Sequence, residues 1–489
     1  MLAGHSALGL FFAALLYLIC LSGTMIVFYE DISEWEQPGY AAGQPTDASL
    51  QHMLEAIHAH GVEQSGPLHS VTLFTERRDE GRVTARYLSD SSVFEAWIAD
   101  PQSGALLQQR HAPFSEFIED VHVRLRMGAI GLYLIGLAGV AMLSLTVSGV
   151  LAHPRIFRDA FHFRRGGARR LSEADVHNRL SVWALPFHLM ISFTGAFLGL
   201  AFLIVAILAF VAFDGDQAAA VRAVLGPQPT ESAEAAPLPD VEALLADARA
   251  RSGLERFNNL VVEHPATMGQ VTQLELEAPN DLAPGETFFY DANGVFLESS
   301  GSADGGIGAQ TLAAMGPLHF GSFGGLLIRL AWVGFGLAST LVVSTGVTIW
   351  LARRREQGRA APRWERVWSA AIWGGAIACI APFFTAPLGE AWANPAFFAA
   401  LVCALIVAAL TPDWVRCSRI LRATLAALVL AMCALNITRN YPEALTGAPL
   451  WVNAALCLIA LALGASLFAR KPKIAITNNI PEDQAATAK

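Results

Sequence analysis

Long apolar runs alternate with polar segments along this chain. Eight runs are long enough to cross a membrane, since a helix needs about 20 apolar residues to span a bilayer core. They cover residues 6–29, 125–152, 180–213, 321–351, 367–387, 395–412, 419–437 and 449–469. The first run has no basic leader and no small-residue cleavage site, so we interpret it as a retained helix. The pattern predicts a polytopic α-helical membrane protein with about eight transmembrane helices.

The two long polar segments, 30–121 and 214–318, have the same internal order. Each contains one amphipathic helix, at Ser49–His60 and at Asp240–Arg251, followed by runs with strand periodicity. The predicted strands are 71–74, 83–88 and 93–99 in the first segment, and 260–263, 270–277 and 287–290 in the second. The pattern therefore predicts two small α+β domains. Units this small are expected to lean on each other or on the membrane helices.

Charge placement predicts the orientation. The loop 153–179 holds seven arginines against three acidic residues, and the loop 352–366 holds six against two. Further basic residues follow the sixth and eighth runs on the same side. By the positive-inside rule this side is the cytoplasm, which predicts that both termini are cytoplasmic. The segments 30–121 and 214–318 then lie outside, and with sixteen acidic residues each they exclude nucleic acid as a partner.

These patterns together divide the chain into consecutive regions. The core transmembrane regions are 1–29, 122–152, 180–213 and 319–351, and the periplasmic domains are 30–121 and 214–318. Basic cytoplasmic loops occupy 153–179 and 352–366, four additional helices occupy 367–470, and a cytoplasmic tail occupies 471–489.

The first four runs each carry a histidine near their start and a Ser-Gly or Thr-Gly step further along. The spacings are 18 residues from His5 to Gly23 and from His177 to Gly195, and 27 residues from His122 to Gly149 and from His319 to Gly346. Equal spacings indicate an internal duplication. A histidine on each of four duplicated membrane helices suggests buried metal or cofactor ligation. The glycines either give a flat cofactor clearance or mediate ordinary helix packing.

Other chemistry leaves no recognisable pattern. The six cysteines include no CxxC pair, which argues against iron–sulfur clusters and covalent c-type haem. No Gly-rich dinucleotide or Walker motif is visible, so the sequence indicates no NAD, flavin or ATP site. Electrons for any redox role would come from a separate donor, either a cytoplasmic reductase or quinone.

Some of these segments resemble a known family. The stretch Trp97-Ile98-Ala99-Asp100-Pro101-Gln102-Ser103-Gly104 resembles a PepSY domain. The histidine-led runs, with Leu318-His319-Phe320-Gly321 and Trp183-Ala184-Leu185-Pro186, resemble the PepSY-associated transmembrane family over residues 1 to about 360. That family often places arginine directly after these histidines, whereas here Ser6, Val123 and Asn178 follow them. The resemblance implies an iron-regulated inner-membrane protein or ferric-siderophore reductase with bis-histidine haem b on both sides of the membrane.

The resemblance also implies a ligand set. Runs 1 and 3 point one way and runs 2 and 4 the other, so His5 and His177 would bind one haem near the cytoplasm, and His122 and His319 another near the periplasm. The anionic propionates need cations. The candidates are Arg124, Arg126 and Arg329 at the periplasmic site and Arg179 at the cytoplasmic site. Alternatively, Arg329 pairs with an acidic residue of the outer domains, and Arg124 and Arg126 are interfacial anchors.

His188 has no counterpart in the first repeat, where Leu16 occupies the same register. It is either a mid-membrane relay, an alternative ligand or a hydrogen-bonded core histidine. The expected function is a two-haem conduit that reduces a ferric siderophore or other ferric chelate in the periplasm, surrounded by membrane lipid. The alternatives are a metal or siderophore permease, and a non-enzymatic envelope protein whose PepSY units bind a partner.

Overall fold

The computed structural model describes residues 2–40, 42–76, 81–153, 155–161, 169–280, 282–302 and 305–468. The predicted tail 471–489 and the middle of the predicted basic loop 153–179 lie outside these residues.

Seven helices in the described part are long and apolar enough to cross a membrane. They are α1 (Leu2–Ile26), α5 (Gly128–Ala152), α13 (Gly325–Glu356), α14 (Pro362–Thr385), α15 (Ala393–Leu410), α16 (Trp414–Arg439) and α17 (Gly447–Phe468). The shorter helices are α2 (Tyr29–Glu36), α3 (Asp47–Ser65), α4 (Pro113–Arg124), α6 (Ile156–Asp159), α7 (Arg169–Trp183), α8 (Leu185–Gly199), α9 (Ala201–Ala212), α10 (Gln217–Leu225), α11 (Val241–Ser252) and α12 (Ile307–Phe320). The predicted multi-pass helical fold is therefore confirmed.

The third predicted run, 180–213, is a broken helix. α7 and α8 meet at Ala184 with a bend of 70°, and α9 follows α8 after a second break at Leu200. Pro186 lies in the first turn of α8. Proline lacks the N–H that would continue α7 and its ring clashes with the preceding turn, so a helix tends to restart there.

The two polar segments form one antiparallel sheet of eight strands. The strands are β1 (Leu68–Thr75), β2 (Val83–Ser89), β3 (Phe94–Ala99), β4 (Leu106–Gln109), β5 (Phe257–Glu263), β6 (Val271–Asn280), β7 (Ala283–Tyr290) and β8 (Phe296–Ser299). Their order is β4-β3-β2-β1-β5-β6-β7-β8, so the two halves join where β1 pairs with β5. All six predicted strands are present. The short edge strands β4 and β8 were not predicted, because each has only four residues, two apolar followed by two polar, which do not alternate.

One core holds the two halves of the sheet together. The inward residues of α3 and α11 pack with the central strands, and Leu50, Tyr87, Leu245 and Tyr290 are fully buried there. Neither half has a core of its own, which agrees with the expectation that each unit leans on its partner.

Two linking helices connect the sheet to the membrane bundle. α4 follows β4 and leads into α5, and α12 follows β8 and leads into α13. We call the end of the bundle next to the sheet the sheet end, and the opposite end, where α13 finishes with three consecutive arginines, the basic end. The additional helices α14–α17 pack beside the core, against α1, α2, α4 and α13.

Candidate functional site

Each of the four spaced histidines lies on the hydroxyl-glycine step of another helix. At the sheet end, the Nδ1 atom of His122 lies 3.1 Å from the carbonyl oxygen of Ile19 and 3.4 Å from Oγ of Ser22, both on α1. The Nδ1 atom of His319 lies 3.0 Å from Oγ1 of Thr194 on α8. The two linking helices therefore place their histidines against the ends of two core helices.

The same arrangement occurs at the basic end. The Nδ1 atom of His5 lies 3.1 Å from Oγ of Ser148 on α5. The Nδ1 atom of His177 lies 2.9 Å from the carbonyl oxygen of Val342 and 3.2 Å from Oγ1 of Thr345 on α13. All four rings are thus held through the same nitrogen.

The glycine of each step makes room for an imidazole ring. A Cβ atom added at Gly23 would lie 2.6 Å from Cε1 of His122, and one at Gly195 would lie 3.0 Å from Cε1 of His319. The corresponding distances at the basic end are 3.2 Å for Gly149 to His5 and 3.5 Å for Gly346 to His177. The glycines therefore seat the histidines, a role that neither cofactor clearance nor plain helix packing describes.

Anchoring through Nδ1 is the usual arrangement of a histidine that binds metal. Such a histidine donates one ring N–H to a carbonyl or similar acceptor, which fixes the ring orientation and leaves the other nitrogen for the metal. Nε2 is that second nitrogen in all four residues, if each Nδ1 carries the proton. The sequence analysis did not predict that the serine and threonine hydroxyls would anchor the histidines, although each hydroxyl residue stands directly before a glycine in the sequence.

The sheet-end histidines face each other. The ring centroids of His122 and His319 are 6.2 Å apart, and the ring planes differ by 31°. A metal–nitrogen bond of about 2 Å on each side, plus about 1 Å from each nitrogen to its ring centre, places two axial imidazole centroids about 6 Å apart. In the described residues no group of three or more His, Cys, Asp or Glu side chains is arranged to hold a bare metal ion. Two opposed imidazoles fit the iron of a planar macrocycle better.

A cavity of about 840 Å³ contains this pair. Cavities of this size hold small-molecule ligands and cofactors. Its walls include Gly23 and Gly195, and most of its surface is apolar. At its sheet end it reaches Glu76, directly after β1, and Asn258 in β5. The cavity thus leads from the sheet to the histidine pair.

A second group of histidines lies at the basic end. His177 lies close enough to both His5 and His153 for electrostatic interaction. Arg179 is two residues after His177 on α7. The structure therefore brings His5, His177 and Arg179 to one end of the bundle, as the spacing predicts, and adds His153 to the group.

Of the three arginines predicted at the sheet end, only Arg329 reaches the described cavity. Its guanidinium pairs with Asp31 of α2, lies 3.8 Å from Glu30, and donates to the carbonyl oxygen of Val27 at 3.1 Å. Arg329 therefore pairs with an acidic residue, which was the alternative to binding a propionate. The partner belongs to α2, however, and not to the sheet.

Arg124 and Arg126 turn away from the cavity. Arg126 pairs with Asp120 at 3.2 Å and lies over the ring of Phe117. Arg124 is largely exposed and lies 3.9 Å from the same aspartate. Their positions fit interfacial anchors better than propionate partners.

His188 lies at the start of α8, directly after the bend. It is buried, with 4% of its surface exposed. Its Nε2 atom has no hydrogen-bond partner among the described residues. A buried polar atom without a partner is uncommon and points to a missing water or ligand group.

The fold and the site define a multi-pass membrane protein with a duplicated histidine-bearing bundle beneath an antiparallel sheet. The chain belongs to the family described as the PepSY-associated TM region, whose model matches residues 2–353. An uncharacterized protein of Pseudomonas aeruginosa is 29% identical over 322 residues, covering 62% of this chain and 82% of the relative. The family match ends before α14 begins, so α14–α17 lie outside it.

Proposed function

We propose that this protein is a di-haem b oxidoreductase of the bacterial inner membrane that reduces a ferric siderophore, or another ferric chelate, on its periplasmic side. The observation that carries the proposal is the sheet-end pair. His122 and His319 face each other at 6.2 Å, each anchored through Nδ1, inside a cavity of about 840 Å³. The sheet end would be periplasmic and the basic end cytoplasmic.

Four histidines would hold the two cofactors. His122 and His319 would bind one haem iron, and His5 and His177 the other. When bound, haem supplies one-electron transfer. The carbonyl and hydroxyl acceptors on α1, α5, α8 and α13 would fix the ring orientations and make the ligating nitrogens more basic. Haem b fits better than haem c because the sequence has no CxxC pair.

The duplication supplies two levels for electron transfer. An electron from a separate donor, either a cytoplasmic reductase or quinone, would enter at the basic end and leave at the sheet end. The chelate would approach through the part of the cavity next to the sheet, where Glu76 and Asn258 lie. One electron converts ferric to ferrous iron, which hard oxygen ligands bind less tightly, so the metal is released.

Visible spectra of the purified full-length protein test the proposal. Oxidised and dithionite-reduced spectra in mild detergent, with haem quantified per chain, should show two b-type haems. His122→Ala and His5→Ala should each reduce this to about one. His60→Ala is the control, because His60 lies on α3 at the sheet and pairs with Glu95. An absence of haem in the wild type, even after reconstitution, would overturn the proposal.

Vesicle assays distinguish electron transfer from transport. With a reductant enclosed at the basic side and a ferric chelate at the sheet side, the conduit should produce ferrous iron outside, and His122→Ala should not. Movement of metal or chelate into vesicles without any reductant would instead support a permease.

A further inference from the structure

The additional helices α14–α17 share the helix that carries His122. One face of α4, formed by Phe114, Phe117, Ile118 and Val121, is buried in the same hydrophobic cluster as residues of α14–α17. A second face, formed by Glu119, His122 and Val123, lines the cavity. The spacing of three and four residues within each face makes α4 a two-sided helix. It lies between the additional helices and the candidate haem site.

A buried polar network connects α16 and α17 to α2. Trp35 is completely buried, and its indole Nε1 donates to Oδ1 of Asn453 at 2.8 Å. Nδ2 of Asn436 donates to the carbonyl oxygen of Trp35 at 2.6 Å. Nδ2 of Asn453 donates to Oδ1 of Asn436 at 3.2 Å, which closes the network. Fully satisfied buried networks of this kind make a contact rigid and specific.

Trp35 also joins α2 to α4 and α14. Its ring centroid lies 5.2 Å from that of Phe383 on α14 and 6.5 Å from that of Phe114 on α4. The centroids of Phe114 and Phe383 are 5.8 Å apart. These distances are typical of favourable aromatic pairs.

Glu36 fixes the beginning of α4. Its carboxylate accepts hydrogen bonds from the backbone N–H groups of Phe114 at 2.9 Å and Ser115 at 2.7 Å, and from the hydroxyl of Ser115. The first N–H groups of a helix have no partner within the helix, so this carboxylate acts as a cap supplied by α2. The start of α4 is thereby attached to α2, and its last turn carries His122.

We propose that Asn436, Asn453 and Glu36 are positioning residues for His122. The two asparagines hold Trp35, Glu36 holds the start of α4, and the tilt of α4 then determines how His122 meets α1 and faces His319. The other linking helix, α12, packs on α8 and β7 instead. The additional helices thus stabilise one half of the sheet-end ligand pair. The role assigned to His122 rests on the proposed function.

Hydrogen–deuterium exchange of the full-length protein in detergent tests this without requiring haem. Asn436→Leu and Asn453→Leu keep the side-chain size but remove the bonds to Trp35. We expect amide exchange in residues 113–124 to become about tenfold faster, and exchange in α12 to stay unchanged. Thr411→Val is the matched control. Thr411 is also buried among the additional helices, and its hydroxyl donates to backbone carbonyl oxygens of Val407 and Ala408 on α15.

A milder variant distinguishes a local effect on α4 from general unfolding. Glu36→Gln leaves the additional helices untouched and weakens only the cap, so faster exchange should be confined to the first turns of α4. Unchanged exchange in α4 for all three variants would overturn the proposal. Equal loss of protection in α4 and α12 would also overturn it, since the network would then be a general stabiliser.

Low-temperature electron paramagnetic resonance supplies the second readout. The spectrum of a low-spin ferric bis-imidazole haem depends on the orientation of its ligands. The sheet-end signal should shift in Asn453→Leu, while the basic-end signal serves as an internal reference and stays fixed. A protein without haem would refute the proposed function, but the exchange result would still decide whether the network positions α4.

Discussion

The two linking helices occupy equivalent positions, but different contacts hold them in place. α4 and α12 each follow an edge strand, and each presents one histidine to the same cavity. α4 is capped by Glu36, contacts α14 and α15, and shares one hydrophobic cluster with residues of α14–α17. The N-cap of α12 is Gly306, which has no side chain, and α12 packs on α8 and β7. The duplication conserved the histidine and its seat, while each copy acquired its own means of holding the histidine in place.

The membrane helices that begin the two repeats also differ from each other. α1 is one continuous helix, whereas its counterpart in the second repeat is split into α7 and α8 by the 70° bend. His177 nevertheless reaches its seat on α13 as His5 reaches α5. Regular helix geometry is therefore not what the site requires. What recurs is a histidine nitrogen held by a hydroxyl or carbonyl beside a glycine.

The largest expected effect comes from filling the glycine seats. Gly23→Ala places a methyl group 2.6 Å from His122, Gly195→Ala 3.0 Å from His319, and Gly346→Ala 3.5 Å from His177. Because a contact of 2.6 Å forces the ring to move, we expect Gly23→Ala to weaken haem binding at the sheet end by about 10- to 100-fold. Haem titration of the three variants checks this order.

The three distances between an added methyl group and the imidazole ring predict a graded series of effects. Gly195→Ala should have an intermediate effect, and Gly346→Ala should bind haem like the wild type, since 3.5 Å is an ordinary contact. Equal losses in all three variants would mean that the glycines serve helix packing and not the histidines.

The cap on α4 should make stability depend on pH. Burial raises the pKa of Glu36 to about 7, against the opposing effect of its hydrogen bonds, and the nearby Glu116 raises it further. The folded protein therefore holds this proton more tightly than the unfolded chain. The free energy of unfolding should fall as pH rises from about 4.5 to about 7, by on the order of 3 kcal/mol.

Denaturation at several pH values, compared with Glu36→Gln, measures this contribution. The variant should show a flatter profile over that window, because glutamine does not titrate. An identical profile in both proteins would show that Glu36 titrates normally.

The sequence predicts the membrane spans and the histidine levels, but not the contacts between distant segments. Hydrophobic length predicted the spans, and the alternating direction of the spans predicted which histidines share a level. The bend at Ala184 was missed although Pro186 signals it. The joined sheet was missed because the pairing of β1 with β5 connects residues far apart in the chain. Trp35, Glu36 and Asn436 were missed because nothing in their local sequence shows which helices they meet.

The ion pair at Arg329 is a further difference between the repeats. Arg329 is ten residues after His319, and Leu132 is ten residues after His122. Removal of the guanidinium breaks the ion pair with Asp31, which is 3% exposed. We expect Arg329→Gln to lower the free energy of unfolding by about 2 kcal/mol, less than for a fully buried pair because the arginine is partly exposed.

Chemical denaturation measures this loss, and two further variants interpret it. Arg124→Gln is the control, since this exposed arginine should change stability by less than about 0.5 kcal/mol. The double variant Arg329→Gln/Asp31→Asn should recover part of the loss. Additive losses would show that the two side chains do not interact.

The smallest effect is expected at His188, whose counterpart is Leu16. Among the described residues, Nε2 of His188 is buried without a hydrogen-bond partner, whereas Leu16 fills its position with apolar atoms only. His188→Leu removes the unsatisfied atom and should raise the free energy of unfolding by about 1 kcal/mol. The reciprocal change Leu16→His should lower it. If His188→Leu instead lowers stability or haem content, Nε2 has a water or ligand partner, and the second repeat contains a polar site that the first lacks.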